Sequence, residues 1–391
     1  MSANFNKRLF LALAACYFVI SINFGVRYTY GLLTVEMIND MNFSNQDIGV
    51  MVSCYLLSYA LTGFVTGHLI DRKGAKMTIL TMFPLLGMGS MLISMTSSIV
   101  SGVLFSVIAG VGASAGWSPV IIWSQKLYPK KRGLIVGIME SGTKLCPFLI
   151  ALAIPQIVPM FGWRGVWLLL GAIALLSILL VSLAHEPKAE GSNSRSKEKY
   201  LDNVGVILRN RYTWLIGISY ALSAFAIMVH VTFYKAYLSR ELMISVDVST
   251  LLYGLMNFAG FIGALTVPAL SDKIGRRPLI MACNAILVAS LIGFLFSNSI
   301  LGLILFTVLI GIDLGAKWPL YAAFVKDLYD WKIAGLATAL SGLFSGLGSI
   351  SAPYISGVLA DMYSTYKISY TVGIVAGVTA IALIAVAKSK N

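Results

Sequence analysis

The sequence predicts an all-α membrane protein of twelve transmembrane helices in two pseudo-symmetric six-helix bundles. Three observations carry that expectation. Hydrophobic residues are 58% of the 391-residue chain and charged residues 12%, and the charges gather in short clusters between apolar stretches of roughly 20 residues, the length that crosses a bilayer. These stretches are too long and too apolar for barrel strands, and only elements with internally satisfied backbone hydrogen bonds can face lipid, so they are helices. Finally, the box Gly67-His68-Leu69-Ile70-Asp71-Arg72-Lys73-Gly74-Ala75-Lys76 recurs as Pro268-Ala269-Leu270-Ser271-Asp272-Lys273-Ile274-Gly275-Arg276-Arg277. Asp71 and Asp272, Gly74 and Gly275, Trp117 and Trp318, and Tyr128 and Tyr329 are all 201 positions apart, so one register relates the two halves.

In chain order the spans are expected at 9–35, 47–70, 77–96, 99–125, 134–159, 165–184, 213–237, 248–270, 279–296, 300–324, 333–359 and 368–387. The first exceeds a signal-peptide core and lacks a small-residue cleavage site after it, so it is expected to be retained. The second and third flank the first box, as the eighth and ninth flank the second. Arg132-Gly133 follows the fourth span, and Gly162-Trp163-Arg164 precedes the sixth. Residues 185–211 include the breaker-rich run Pro187-Lys188-Ala189-Glu190-Gly191-Ser192-Asn193-Ser194 and read as a flexible link. This divides the chain into an N-terminal bundle, 1–184, a linker, 185–211, and a C-terminal bundle, 212–391. Cys16, Cys54, Cys146 and Cys283 fall within apolar spans, with no spacing that recommends a disulfide framework or a metal site.

Orientation follows from the Lys and Arg count in short loops. Lys7, Arg8, Arg72, Lys73, Lys76, Lys126, Lys130, Lys131, Arg132, Lys273, Arg276, Arg277, Lys326, Lys332, Lys388 and Lys390 fall on one side, against Arg164, Lys235, Arg240 and Lys367 on the other. Both termini and the linker are therefore expected in the cytoplasm. The net charge of +13 is explained by this bias and needs no nucleic-acid partner.

The paired boxes resemble the loops after the second and eighth helices of the major facilitator superfamily, roughly Gly-x-x-x-Asp-Arg-x-Gly-Arg-Arg. Ala75 stands where that family usually has Arg, and Pro268 where it often has Gly. The resemblance covers nearly the whole chain and implies a monomeric secondary transporter that exposes a central site alternately to each side. It also implies that Asp71 and Asp272 are cytoplasmic gate residues, with Arg72, Arg132 and Arg277 as candidate partners that must part when the gate opens. The alternative is that these are solvated loop charges that set topology.

A charge at membrane depth costs at least about 2.5 kcal/mol and survives where it faces a cavity or a partner. Arg27, Glu140, Lys144, Asp313 and Lys317 meet that description. None of them repeats: the 201-residue register puts Arg27 on Met228, Glu140 on Ser341, Lys144 on Ser345, Asp313 on Gly112 and Lys317 on Gly116. A scaffold role would tend to appear in both halves, whereas a substrate asks for different groups from each. Arg27, with Tyr28 and Tyr30 beside it, suits a carboxylate or phosphate. It lies about 27 Å along a helix starting near residue 9, in the outer half of the membrane. Glu140 and Lys144, like Asp313 and Lys317, stand four apart in acid-before-base order. Each pair is either an internal salt bridge or part of a cavity wall in which Lys144 and Lys317 bind substrate and Glu140 or Asp313 carries a proton. His230 is a further titratable candidate for coupling, or else a packing residue. Trp117 and Trp318 are either cavity wall or repeated scaffold.

Phe24-Gly25-Val26-Arg27 through Gly31 resembles the first helix of the monocarboxylate and sugar-acid carriers of that superfamily. The expected function is therefore secondary active transport of a small organic anion with proton coupling, in a plasma or inner membrane. Arginines in the first helix also occur in the family's organophosphate exchangers, which is the first alternative; a sugar or drug carrier is the second. No metal or cofactor is expected. An enzyme is disfavoured because no His-Glu-x-x-His, Gly-x-Ser-x-Gly or nucleotide-binding glycine loop is present, and a sensor because the few residues after the last span leave no space for a signalling domain.

Overall fold

The computed structural model describes residues 2–187, 197–297 and 299–387. Thirteen α-helices and two short 3-10 turns make up the described residues. The helices are α1 Ser2–Met41, α2 Asn45–Lys73, α3 Ala75–Ile93, α4 Ile99–Ala113, α5 Ser118–Leu127, α6 Arg132–Leu183 and α7 Lys197–Arg209, followed by α8 Arg211–Arg240, α9 Val246–Ile274, α10 Arg276–Phe296, α11 Ile300–Leu328, α12 Trp331–Tyr363 and α13 Lys367–Val386. Eleven described segments are long and apolar enough to cross a bilayer. The longest, α6, is two spans joined at Gly162, whose φ of 65° and ψ of −179° break the helix. With that break the twelve expected spans are present, as two bundles of six.

The same local chemistry is used twice. Gly74 (φ 86°, ψ 167°) and Gly275 (φ 98°, ψ 150°) each end one helix and begin the next, in a backbone region closed to almost any residue with a Cβ. The repeated boxes are thus two copies of one tight corner. Lys76 donates to the carbonyls of Ser182 and Ala184, at 2.8 and 2.6 Å, and Arg277, its counterpart in the repeat, donates to those of Ile384 and Ala385. Within each half the packing partners also correspond: α1 on α6 and α8 on α12, α2 on α4 and α9 on α11, α3 on α6 and α10 on α13.

Three expectations need correction. The fourth span is interrupted: α4 stops at Ala113, a 3-10 turn covers Ser114–Gly116, and α5 begins at Ser118, because Pro119 has no N–H with which to continue the ladder. The first span runs to Met41 rather than 35, until Asn42 turns to a φ of 52°. The linker contains a helix. Beyond Pro187 its breakers lie outside the described residues, but Lys197–Arg209 is helical and its Ile207 is fully buried against the C-terminal bundle. The Ile207 carbonyl accepts the Thr213 hydroxyl at 2.6 Å.

The two halves meet at the end opposite the boxes. There α2 crosses α12 in antiparallel register, with Gly49 on the carbonyl of Pro353 and Gly357 on that of Asn45; a Cβ at either glycine would lie 2.4 Å from the carbonyl oxygen. Ser53 donates to the Ile350 carbonyl at 2.7 Å, and the Asp361 carboxylate accepts the Asn45 and Gln46 N–H groups at 3.1 and 2.7 Å, at the positive end of α2. At the box end no hydrogen bond or ion pair joins the halves among the described residues, and Gly67, Gly137, Gly335 and Gly342 have open space where a Cβ would stand.

Candidate functional site

Because α1 continues to Met41, Arg27 stands 18 residues after Leu9 and 14 before Met41 in that span. At 1.5 Å per residue this is about 3 Å past the middle of the span, toward Met41. The Arg27 side chain is half-buried and forms no hydrogen bond or ion pair with any described group; its Cζ lies 5.6 Å from the centre of the Phe24 ring. Arg27 lines a narrow cavity with about 10 Å³ of free space, walled by Tyr28 and Leu56 from one half and Met228, Val231 and Tyr253 from the other. The cavity floor is the closed end of the molecule, where Gly31 packs on the Val231 carbonyl and the Tyr253 ring.

Lys144 approaches the same ring, Phe24, from α6. It is 2% exposed, donates to the Tyr28 hydroxyl at 3.0 Å and lies 4.9, 5.8 and 6.0 Å from the ring centres of Tyr28, Trp318 and Phe24. Three π faces and one phenol oxygen thus hold an ammonium that a helix in lipid could not otherwise carry. Its stem packs against Gly260 of the opposite half. Glu140, one turn earlier, does not pair with Lys144 directly; it is 5% exposed and close enough to Lys144 and Arg27 to interact with both electrostatically. Of the two readings of this pair, the internal salt bridge is therefore not formed here. Trp117 meets Phe24 edge-on at 5.9 Å, while its repeat counterpart Trp318 meets Lys144.

Lys317 and Asp313 are a different case. They form an ion pair at 2.8 Å with side-chain exposures of 1 and 0%, and neither makes a further hydrogen bond. Lys317 looks toward Cys283 and Asn284 of α10, not into the Arg27 cavity, because its face of α11 turns away from the other half. His230 is fully buried between Tyr234, Phe294 and Tyr370, and neither ring nitrogen has a partner. It lies behind the cavity wall. Tyr30 lines the cavity by its ring alone, since its hydroxyl donates to Ser106 at 2.8 Å.

At the box end, Asp71 and Arg72 are exposed and unpaired among the described residues, and the Arg132 side chain lies outside the described residues. Asp272 pairs with Arg276 at 3.4 Å and not with Arg277, while Arg276 also pairs with Asp327. In the first box, where Ala75 stands in place of arginine, the corner is held by a carboxylate of the same half, Glu186. It accepts the N–H groups of Ala75 and Lys76 at 3.1 and 2.7 Å and pairs with Lys126 at 2.9 Å. Both clusters tie helices within one half.

Sequence reasoning missed the charges that cross between halves. Lys235, fully buried on α8, donates to the Leu32 carbonyl at 2.7 Å and to Glu36 at 2.5 Å, both on α1. Arg240 donates to Asn39 at 2.8 Å. The register held the signal: Glu36 falls on Tyr237 and Lys235 on Thr34, two more charges without a repeat. Asp40, also missed, pairs with Arg164 and accepts the Trp163 indole N–H at 3.0 Å, anchoring the second arm of α6 just after Gly162.

Twelve spans in two similar halves, closed at one end over a central cavity with a free cation, define a membrane transporter, not an enzyme. The profile described as Major Facilitator Superfamily matches residues 13–234 and 216–390, and the chain belongs to that family. It is 21% identical over 388 residues to the hexuronate transporter of Bacillus subtilis, covering 92% of this chain and 88% of that protein. Among solved structures it resembles the nucleoside transporter NupG, as its D323A mutant, with a TM-score of 0.81 over 96% of this chain and 100% of that one at 15% identity. It also resembles a bacterial homolog of the human lysosomal transporter Spinster, in an inward-facing and unoccupied conformation, with a TM-score of 0.77 over 97 and 96% of the two chains at 16% identity.

Proposed function

We propose that this transporter moves a small organic anion, with Arg27 as the anchor for its charge. The single observation that carries this is the guanidinium left without a partner at mid-span, in a cavity walled by both halves. A charge at membrane depth without a hydrogen-bonding partner is costly, and a bound carboxylate or phosphate lowers that cost by two parallel hydrogen bonds. Arg27, Lys144 and Glu140 together carry a net charge of +1, the complement of a monoanion. Glu140, beside both cations yet paired to neither, is the proposed proton carrier; Asp313, already neutralised by Lys317, and the enclosed His230 are weaker candidates. The hexuronate carried by the relative is an anion too, which supports the reading. Exchange of organophosphates remains the alternative, favoured by the presence of a second cation, Lys144, within reach of the site.

With the basic loops facing the cytoplasm by the positive-inside rule, the box end is cytoplasmic, both termini lie there, and the present state faces inward. Residues 1–184 and 212–391 then rock about the central site, and closure brings Asp71 and Asp272 toward basic partners. The experiment is uptake into proteoliposomes of lactate, pyruvate, a sugar acid, a sugar phosphate and a neutral sugar, with and without an inward proton gradient. Gradient-driven accumulation of a carboxylate, lost in Arg27→Ala without loss of fold, is the expected result. Uptake of the neutral sugar alone, or normal anion uptake in Arg27→Ala, sinks the proposal; uptake that needs anion preloaded inside selects the exchanger.

A further inference from the structure

The ion pair that crosses between the halves at the closed end is one base beside two acids. Lys235 on α8 is fully buried, and its ammonium donates to the Leu32 carbonyl at 2.7 Å and to Glu36 Oε1 at 2.5 Å. Both of those hydrogen bonds run to α1, in the other half. The second carboxylate is Asp247, in the first turn of α9 and so in the same half as Lys235. Asp247 is exposed, forms no hydrogen bond or ion pair among the described residues and is close enough to Lys235 to interact with it electrostatically. Glu36, Lys235 and Asp247 carry two negative charges and one positive, a net −1. Glu36 Oε2 is buried with no hydrogen-bonding partner, while the side chain as a whole is 13% exposed.

On the helices around this corner the other charges are engaged elsewhere. Asp40, one turn beyond Glu36 on α1, pairs with Arg164 of α6, and Arg240 donates to Asn39. Asp47 on α2 accepts the Ser44 N–H, Asp361 on α12 accepts from the start of α2, and Glu241 accepts the Thr365 hydroxyl. An ion pair holds only while both members are charged. A proton that settles on the Glu36 carboxylate leaves Lys235 an ammonium, and the neighbour that stays charged is then Asp247. The bond between halves gives way to one inside the C-terminal half, so the ammonium is matched in both arrangements.

We propose that Glu36, Lys235 and Asp247 form a proton-operated lock: with Glu36 ionised, Lys235 ties α8 to α1 and holds this end shut; with Glu36 protonated, Lys235 turns to Asp247 and the halves part. Acid therefore favours opening, and with the box end in the cytoplasm the proton arrives from outside. The lock is independent of what Arg27 binds. Nitroxide labels carried by Met95→Cys and Leu301→Cys, at positions 70 and 76% exposed in the turn after α3 and the first turn of α11, report the separation of the halves at this end by pulsed electron spin resonance. Cys54→Ser serves as background, since Cys16, Cys146 and Cys283 are buried. Taking the purified protein from about pH 8 to about pH 5 should raise the ratio of parted to closed molecules by about 5- to 150-fold. Glu36→Gln should be parted at the higher pH as far as wild type is in acid, and should respond no further. Asp247→Asn, which removes the second acceptor, should move the wild-type transition to lower pH. A separation that acid leaves unchanged in wild type overturns the lock without recourse to any variant of it, as does an acid response in Glu36→Gln equal to that of wild type. An Asp247→Asn transition at the wild-type pH overturns the exchange of partners.

Discussion

Arg27 and Lys144 both lie over the Phe24 ring yet are held in opposite ways, and their neighbours explain why. Lys144 is enclosed by three aromatic rings and a phenol, so its charge is already balanced; Arg27 has ring contact on one side and cavity on the other. Losing Arg27 should therefore reduce anion affinity most, by on the order of 10- to 100-fold, read as uptake rate at low substrate. Trp318→Ala, which opens the cage, is expected to let Lys144 and Glu140 approach and pair, lowering uptake without abolishing it. Glu140→Gln tests coupling: counterflow exchange should persist while accumulation driven by a pH gradient is lost. Accumulation equal to wild type would move the proton elsewhere. These residues were legible in the sequence because charge in an apolar span is rare. Their partners were not: nothing in the spacing of Glu140 and Lys144 shows that an aromatic cage competes for the lysine.

At the level of helices, the closed end is held by close backbone approach and by charges handed from one half to the other. Gly49 and Gly357 allow α2 and α12 to touch. Gly49→Val puts carbon against a carbonyl that cannot move aside, so it should hold this end apart, raising maleimide labelling of a cysteine introduced at Thr34, which now bonds to the Thr232 carbonyl at 3.2 Å. The Lys235–Glu36 pair predicts an asymmetry. Glu36→Ala leaves a fully buried ammonium with one carbonyl for company, whereas Lys235→Met leaves a carboxylate that is 13% exposed. Breaking a buried pair costs about 3–5 kcal/mol; Glu36→Ala should lie at the upper end and Lys235→Met at the lower, as thermal unfolding of the purified protein would reveal. Sequence reading misjudged this pair because it ended the first span at 35, which turned Glu36 into a loop charge; hydropathy does not encode where a helix stops, and the turn at Asn42 does.

The whole molecule is a hinge-like assembly in which one end is packed and the other parted. Gly49 lies opposite Pro353 and Gly357 opposite Asn45, and continuing that antiparallel register along α2 and α12 puts Gly67 opposite Gly335, both now with open space beside them. Cysteines at 67 and 335 should cross-link only when the box end closes, and addition of a transported anion should change the cross-linking rate. Cross-linking at a rate indifferent to substrate would argue that the halves do not rock about this interface. The same comparison explains why the boxes do not latch in this state: Asp71 and Arg72 face open space, and the second box is occupied within its own half by Asp327.

By itself the sequence determined the class, the number of spans, the two-fold repeat and the identity of the charges that break it, because hydropathy and a 201-residue register are properties of the chain alone. It even marked the odd position Ala75, though not that Glu186 caps the backbone there. Only the tertiary structure decided which charges meet. Arg27 is free, Lys144 is caged, Lys317 is neutralised by Asp313, and Lys235 crosses to Glu36, because pairing depends on which helix faces turn toward one another, and that is settled by the packing of two halves no local pattern describes.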